Sequence, residues 1–124
     1  MSETTTTLGT EFAHALADKD ERRIRELLHP EIDFRALTPS RFWEASDPDG
    51  VIAIAFENWF DESDEIRSLE HVETDTVVDR ERVGYRLSVS NPDGDHLVEQ
   101  QAYLYGVDGR IKWLRLLCVG YRPV

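Results

Sequence analysis

Cysteine is all but absent: Cys118 is the single one in 124 residues. That excludes an internal disulfide and a cysteine-based metal cluster. Lysine is nearly missing as well, with only Lys19 and Lys112. Basic residues number 14 against 25 acidic ones, a net charge of −11. So little positive charge argues against nucleic acid and against an anionic membrane surface as partners. No stretch approaches the roughly 18 apolar residues of a membrane span. Residues 1–7 are polar and lack the basic-then-apolar layout of a secretory leader, so a cytoplasmic protein is expected. Glycine-rich phosphate loops are missing too. His14, His29, His71 and His96 do not pair at ligand spacing, and the acidic run from Asp61 to Glu65 lacks the glycine and spacing of a calcium loop. No metal and no cofactor is expected.

What remains is ordinary for a globular fold. The chain is 40% apolar, with three Trp, four Tyr and five Phe. Its length suits one domain over 1–124, with 1–7 as a frayed tail. Leu8, Phe12, Ala15 and Leu16 share one helical face. A second helix is expected from Asp18, with Glu21 in a capping-box position, ending at His29-Pro30. Residues 31–37 alternate as a half-buried strand, with Ile32, Phe34 and Ala36 inward. Thr38-Pro39 reads as the start of a helical turn carrying Phe42 and Trp43. Asp47-Pro48-Asp49 is a strong start for a third helix, with Ile52, Ala55, Phe56, Trp59 and Phe60 as its apolar stripe. The rest reads as four strands separated by turns, Asp108-Gly109 being a two-residue hairpin signal. The result is an α+β domain: helices with an early strand, then an antiparallel meander.

If Val107 faces Arg110 across that last turn, every later pair follows. Glu99, Gln101, Tyr103, Leu114, Leu116 and Cys118 then share one sheet face, and Leu104, Trp113, Leu117 and Val119 the other. Both faces are partly apolar, so a homodimer through the outer face (Leu104, Trp113, Leu117, Val119) is expected.

The element order, with Ala17-Asp18-Lys19-Asp20, the stretch His29-Pro30-Glu31-Ile32-Asp33-Phe34, and Gly109-Arg110-Ile111 followed by Leu114-Arg115, resembles the nuclear transport factor 2-like superfamily. That group includes ketosteroid isomerases and SnoaL-like polyketide cyclases. The resemblance spans nearly the whole chain. It implies a cone: a curved antiparallel sheet wrapped around three N-terminal helices, with a pocket at the open end and dimers through the outer face. It also implies what this chain lacks. The isomerase tyrosine falls at Phe12, its carboxylate base at Ala36, and its oxyanion acid at Gln101. Two of the three roles are lost, which argues against steroid-type isomerisation.

The candidate site follows from these facings. Glu99 would serve as acid–base and Gln101 as oxyanion donor; the competing reading has both satisfied by Tyr85 or an arginine. The pocket for a small apolar ligand would be lined by Phe12, Phe34, Ala36, Trp43, Phe56, Tyr85, Tyr103, Leu116 and Cys118. Asp33 and Arg35 read as a surface ion pair. Cys118 reads as a packed core thiol. Three functions follow: a ligand-binding domain, an isomerase, cyclase or dehydratase, or a dimerisation module whose pocket is filled by its own side chains.

Overall fold

The computed structural model describes residues 7–124. Most of the expected tail lies outside them. Thr7, counted with it, instead caps the first helix, its hydroxyl accepting from the Thr10 N–H at 3.1 Å. Helix α1 (Leu8–Ala17) buries Phe12, Ala13, Ala15 and Leu16. Helix α2 (Glu21–Leu27) is capped by Asp20, whose carboxylate accepts from the Arg23 N–H at 3.1 Å. Asp18, the expected cap, ends α1 instead, its N–H donating to the His14 carbonyl. The left-handed backbone of Lys19 (φ 51°) makes the corner between them.

Strand β1 (Leu28–Thr38) turns at Pro39-Ser40 into strand β2 (Arg41–Ala45). The expected helical turn around Phe42 and Trp43 is therefore a strand. Its registers Leu37↔Phe42 and Ala36↔Trp43 send Phe42 outward and Trp43 inward. Helix α3 (Pro48–Ala53) starts where expected, Asp47 accepting from the Gly50 N–H at 2.7 Å. It then widens into a π-helical turn, Ile54–Trp59.

Strands β3 (Glu65–Val77), β4 (Arg80–Asn91), β5 (Gly94–Val107) and β6 (Arg110–Pro123) form the meander. The sheet order is β2-β1-β6-β5-β4-β3. One feature departs from the expected antiparallel sheet: β1 runs parallel to β6, so the sheet is mixed. The α3 segment and three hairpins supply the long crossover that a parallel pair requires.

The larger correction lies in the last hairpin. Asp108 and Gly109 both have positive φ, 55° and 79°, as a type I′ turn needs. Val107 does face Arg110, and Gly106 faces Ile111. The register then slips by one: Tyr105 faces Trp113, leaving Lys112 as the extra residue of a β-bulge. From there Leu104 faces Leu114, Ala102 faces Leu116 and Gln100 faces Cys118. The slip leaves β6 facing as expected and turns β5 over. Leu104 belongs to the core at 1% exposure, not to an outer interface. Glu99, Gln101 and Tyr103 point outward.

A second slip lies between Val98 and Gln100, opposite Val119 and Gly120. Gly120 has φ 87°, and a β-carbon there would sit 2.8 Å from Pro39 Cγ. Only glycine suits such a bend, which curls the end of β6 around the β1–β2 turn. One core fills the cone, built from Phe12, Leu16, Ile24, Phe34, Leu87, Leu104 and Leu114 among others. No helix of the described residues is long and apolar enough to cross a membrane.

Candidate functional site

Two residues are buried among the polar and charged side chains of the described residues, Gln100 and Asp64. Gln100 lies on the inner side of β5, and Asp64 stands in the turn that leads into β3.

Gln100 is 3% exposed and sits between Tyr85 on β4 and Cys118 on β6. The Tyr85 hydroxyl donates to Gln100 Oε1 at 2.6 Å. Burial pushes the Tyr85 phenol well above its ordinary range, with the Cys118 thiol adding to the effect, so it stays a neutral donor. The other end of the amide, Gln100 Nε2, is buried and has no acceptor. A second buried donor without an acceptor is the indole nitrogen of Trp59. That ring packs on Phe34, centroids 6.3 Å apart, and meets Trp43 edge-on at 6.1 Å. Trp43 is fixed by its own N–H donating to Thr38 Oγ1 at 2.9 Å.

Asp64 forms the rim. It accepts from Asn91 Nδ2 and lies 2.9 Å from the Tyr121 hydroxyl, which also lies 2.7 Å from the Trp59 carbonyl. Burial, then the bond to Asp64, raises the Tyr121 phenol above its ordinary range. Lys19 Nζ closes the corner by donating to the carbonyls of Asp61 and Asp64. Asp64 belongs to the acidic run from Asp61 to Glu65, yet it is buried at 8% exposure. Asp64 and Tyr121 carry no motif that would have singled them out; their pairing depends on the Gly120 bend.

Of the expected pocket residues, Phe12, Phe34, Ala36, Tyr85, Leu116 and Cys118 are buried on the inner side, and Trp43 and Phe56 pack against that core. Tyr103 is not among them. Its hydroxyl lies on the outer face within 3.4 Å of Gln101 Nε2. Gln101 accepts from Arg82 at 3.0 Å on the same face. Glu99 is 43% exposed and held by Arg86 at 3.5 Å and Arg122 at 3.4 Å. Glu99, the expected acid–base, and Gln101, the expected oxyanion donor, are therefore not in the interior, and the inner amide is Gln100. Asp33 lies on the surface with Arg35 at 3.9 Å and Arg115 at 3.2 Å, an ion pair as expected.

The outer face also carries cavities. One of about 430 Å³ is lined by Arg35, Leu37, Phe42, Tyr103, Arg115 and Leu117. Another, about 320 Å³, lies over Gly84 between Arg82 and Arg86. The inner region instead holds the Phe34, Trp43 and Trp59 rings. Among the described residues no three His, Cys, Asp or Glu side chains gather as a metal site.

No family description and no curated protein matches the chain. Solved structures do. A candidate isomerase from Rhodopseudomonas palustris superposes with a TM-score of 0.70 at 18% identity, over 93% of this chain and 91% of that one. A candidate polyketide cyclase from Pseudomonas putida gives 0.69 at 13% identity, over 93% and 91%. A protein of ketosteroid isomerase-like fold from Catenulispora acidiphila, solved with trimethylamine, gives 0.63 at 11%, over 91% and 85%. The chain has the α+β cone fold of the nuclear transport factor 2-like and ketosteroid isomerase-like proteins.

Proposed function

We propose that this chain binds a small, neutral, carbonyl-bearing molecule inside the cone, between Gln100, Tyr85, Cys118 and the Trp43–Trp59 pair. One observation carries the reading: two buried N–H donors on the inner side, Gln100 Nε2 and Trp59 Nε1, have no acceptor; Glu81 Oε2, Arg86 Nε and His96 Nδ1 are buried without partners elsewhere. An unsatisfied buried donor costs about 1–3 kcal/mol, and native proteins keep few of them. A carbonyl oxygen placed between β5 and the π-helical turn would satisfy a donor there. The surroundings are apolar, and among the described residues Asp64 at the rim is the one buried charge-bearing residue, so a charged ligand deeper in the cone, away from that rim, would enter uncompensated. The fold supports the reading in general terms, since it is shared with candidate isomerases and cyclases.

Binding is favoured over catalysis by what stands at the enzyme positions. Glu99 is tied to two arginines outside the cone. Phe12 and Ala36, where the isomerase resemblance puts a tyrosine and a base, are apolar.

The test is a thermal melt with a panel of cyclic ketones of one to three rings. A ligand at a hundred times its Kd stabilises by about 2.7 kcal/mol, a shift of several degrees. The double variant Tyr85→Phe with Gln100→Leu removes both partners of the inner hydrogen bond together, so it should fold within about 1 kcal/mol of the parent. It should lose the ketone response. No response from the parent, or an equal response from the double variant, would refute the proposal.

A second reading concerns the outer face, where Leu37, Phe42, Leu117 and Val119 are each about half exposed, at 51%, 51%, 48% and 49%. We propose that a second copy of the chain covers them. Arginines and carboxylates are interspersed around this patch, Asp33 with Arg35 and Arg115, and Glu99 with Arg86. A two-fold contact between two such faces can match charges of both signs.

A further inference from the structure

We infer that the outer face of the sheet holds a second small-molecule site, over Gly84, which takes an α-amino acid with an apolar side chain, its carboxylate on Arg86 and its ammonium group toward Glu73. The site is separate from the interior one proposed above. It begins with a missing side chain. Val83, Tyr85 and Leu87 are buried in the core, so Arg82, Gly84 and Arg86 alternate with them on the outer face. Gly84 stands opposite Glu73 on β3 and Gln101 on β5, and Gln101 stands opposite Leu117 on β6. A β-carbon at Gly84 would meet only Arg82 Nη1, at 3.0 Å. Beside it β3 bulges between Glu70 and Glu73, with His71 in left-handed backbone at φ 54°. The hollow has a volume of about 320 Å³, within the range of small-molecule sites, about 300–1,000 Å³.

The two arginines of the lining differ in how well they are satisfied. Arg82 is locked: Nε and Nη2 each donate to Asp75 at 2.8 Å, and Nη1 donates to Gln101 Oε1 at 3.0 Å. Arg86 is not. Its Nε is buried without an acceptor, and its ion pair with Glu99 is long, at 3.5 Å. Glu99 is shared with Arg122 at 3.4 Å, so two guanidinium groups face one carboxylate and one positive charge is left over. A ligand carboxylate supplies both the acceptor and the charge, in the two-pronged geometry a guanidinium favours. An anion alone would sit against Glu73, which lines the same hollow and pairs with no cation among the described residues. The excess positive charge therefore lies at Arg86 and the excess negative charge at Glu73, and a zwitterion matches both. Leu117 and Val119 close the hollow on β6, which suits an apolar side chain. In the sheet order the apolar patch of Leu37, Phe42 and Leu117 covers β1, β2 and β6, while the hollow lies over β3, β4 and β5. A second copy seated on that patch would border the ligand without displacing it.

Titration calorimetry with L-phenylalanine, 3-phenylpropionate and 2-phenylethylamine tests the site. The three share a ring and a two-carbon chain and carry both charges, the carboxylate alone and the ammonium alone. L-phenylalanine should bind, and each single-charge analogue should bind about tenfold more weakly or worse, the change that losing one charged hydrogen bond makes. Arg86→Gln should weaken phenylalanine by the same factor. Gly84→Val should abolish binding by filling the hollow. A branched side chain suits a strand, and its one close contact is the flexible end of Arg82, so the variant should melt no lower than the parent. It should also keep any thermal response to ketones, since the interior is untouched. No binding of phenylalanine, equal binding of 3-phenylpropionate, or undiminished binding by Gly84→Val would each overturn the site. If Gly84→Val does not fold, Arg86→Gln decides the matter in its place.

Discussion

Gln100→Lys should cost the protein a large part of its stability, while Gln101→Lys, one residue along the same strand, should leave it native. Position 100 is 3% exposed, and the buried polar group next to it is the Tyr85 hydroxyl, with no carboxylate in contact. A lysine there places an uncompensated charge in the core, at a cost of about 3–5 kcal/mol. That is a large part of the 5–15 kcal/mol that holds a domain of this kind together. Position 101 faces outward beside Arg82, where a second cation costs about 1 kcal/mol or less. Circular dichroism melts of the two variants read the difference directly. Equal losses, or a greater loss at 101, would mean that β5 faces the other way.

That contrast isolates where sequence reasoning succeeded and where it broke. The helix starts at Leu8 and Asp47, the inward set Ile32, Phe34 and Ala36, and the Asp108-Gly109 turn were all legible, because caps, period-two alternation and positive-φ turns are local signals. The β6 facing was legible for the same reason. The β5 facing was not, because it was derived from a register assumed to run without interruption from the turn. A bulge at Lys112 invalidates that assumption while leaving the turn intact. Two signals were available. Gly106 stands inside a strand, where glycine often marks a bulge or a close approach; a β-carbon there would sit 2.6 Å from Leu8 Cδ1. Val98, Ala102 and Leu104 also alternate as an apolar set of their own, which by itself points them and Gln100 inward.

The rest of the site was hidden for a different reason. Phe42-Trp43 follows a proline, and helix and strand are hard to tell apart in so short an apolar stretch. Pairing with Ala36 and Leu37, a tertiary effect, decided for the strand. Trp59 was legible as an apolar helical residue, but the π register that aims it at Phe34 and Trp43 has no sequence signature. Asp64 and Tyr121 meet across 57 positions of chain, beyond any local pattern.

Leu117→Asp should convert a dimer into a monomer without loosening the subunit. Leu117 is 48% exposed, so replacing it changes subunit stability by about 0.5 kcal/mol or less. It lies in the middle of the outer patch, beside Leu37 on β1 and across from Gln101 on β5. A carboxylate buried there between two apolar faces costs about 3 kcal/mol or more, at least a hundredfold in Kd. Val78→Asp, at a hairpin tip 93% exposed, is the control and should change nothing. Sedimentation velocity at micromolar concentration reads both. A parent chain that sediments as a monomer, or a Leu117→Asp chain that remains a dimer, would remove the second copy from the outer face.

The interior site stands or falls on which amide meets the ligand. In a nitrogen-15 correlation spectrum the side-chain NH₂ of Gln100 and the indole N–H of Trp59 have signals of their own. Titrating with the cyclic ketone that gives the largest thermal shift should move at least one of them downfield as its proton gains an acceptor. The side-chain signals of Gln101 and Trp113, on the outer face, should stay in place. Movement of Gln101 and Trp113 with Gln100 and Trp59 unchanged would put the ligand outside the cone and contradict the account.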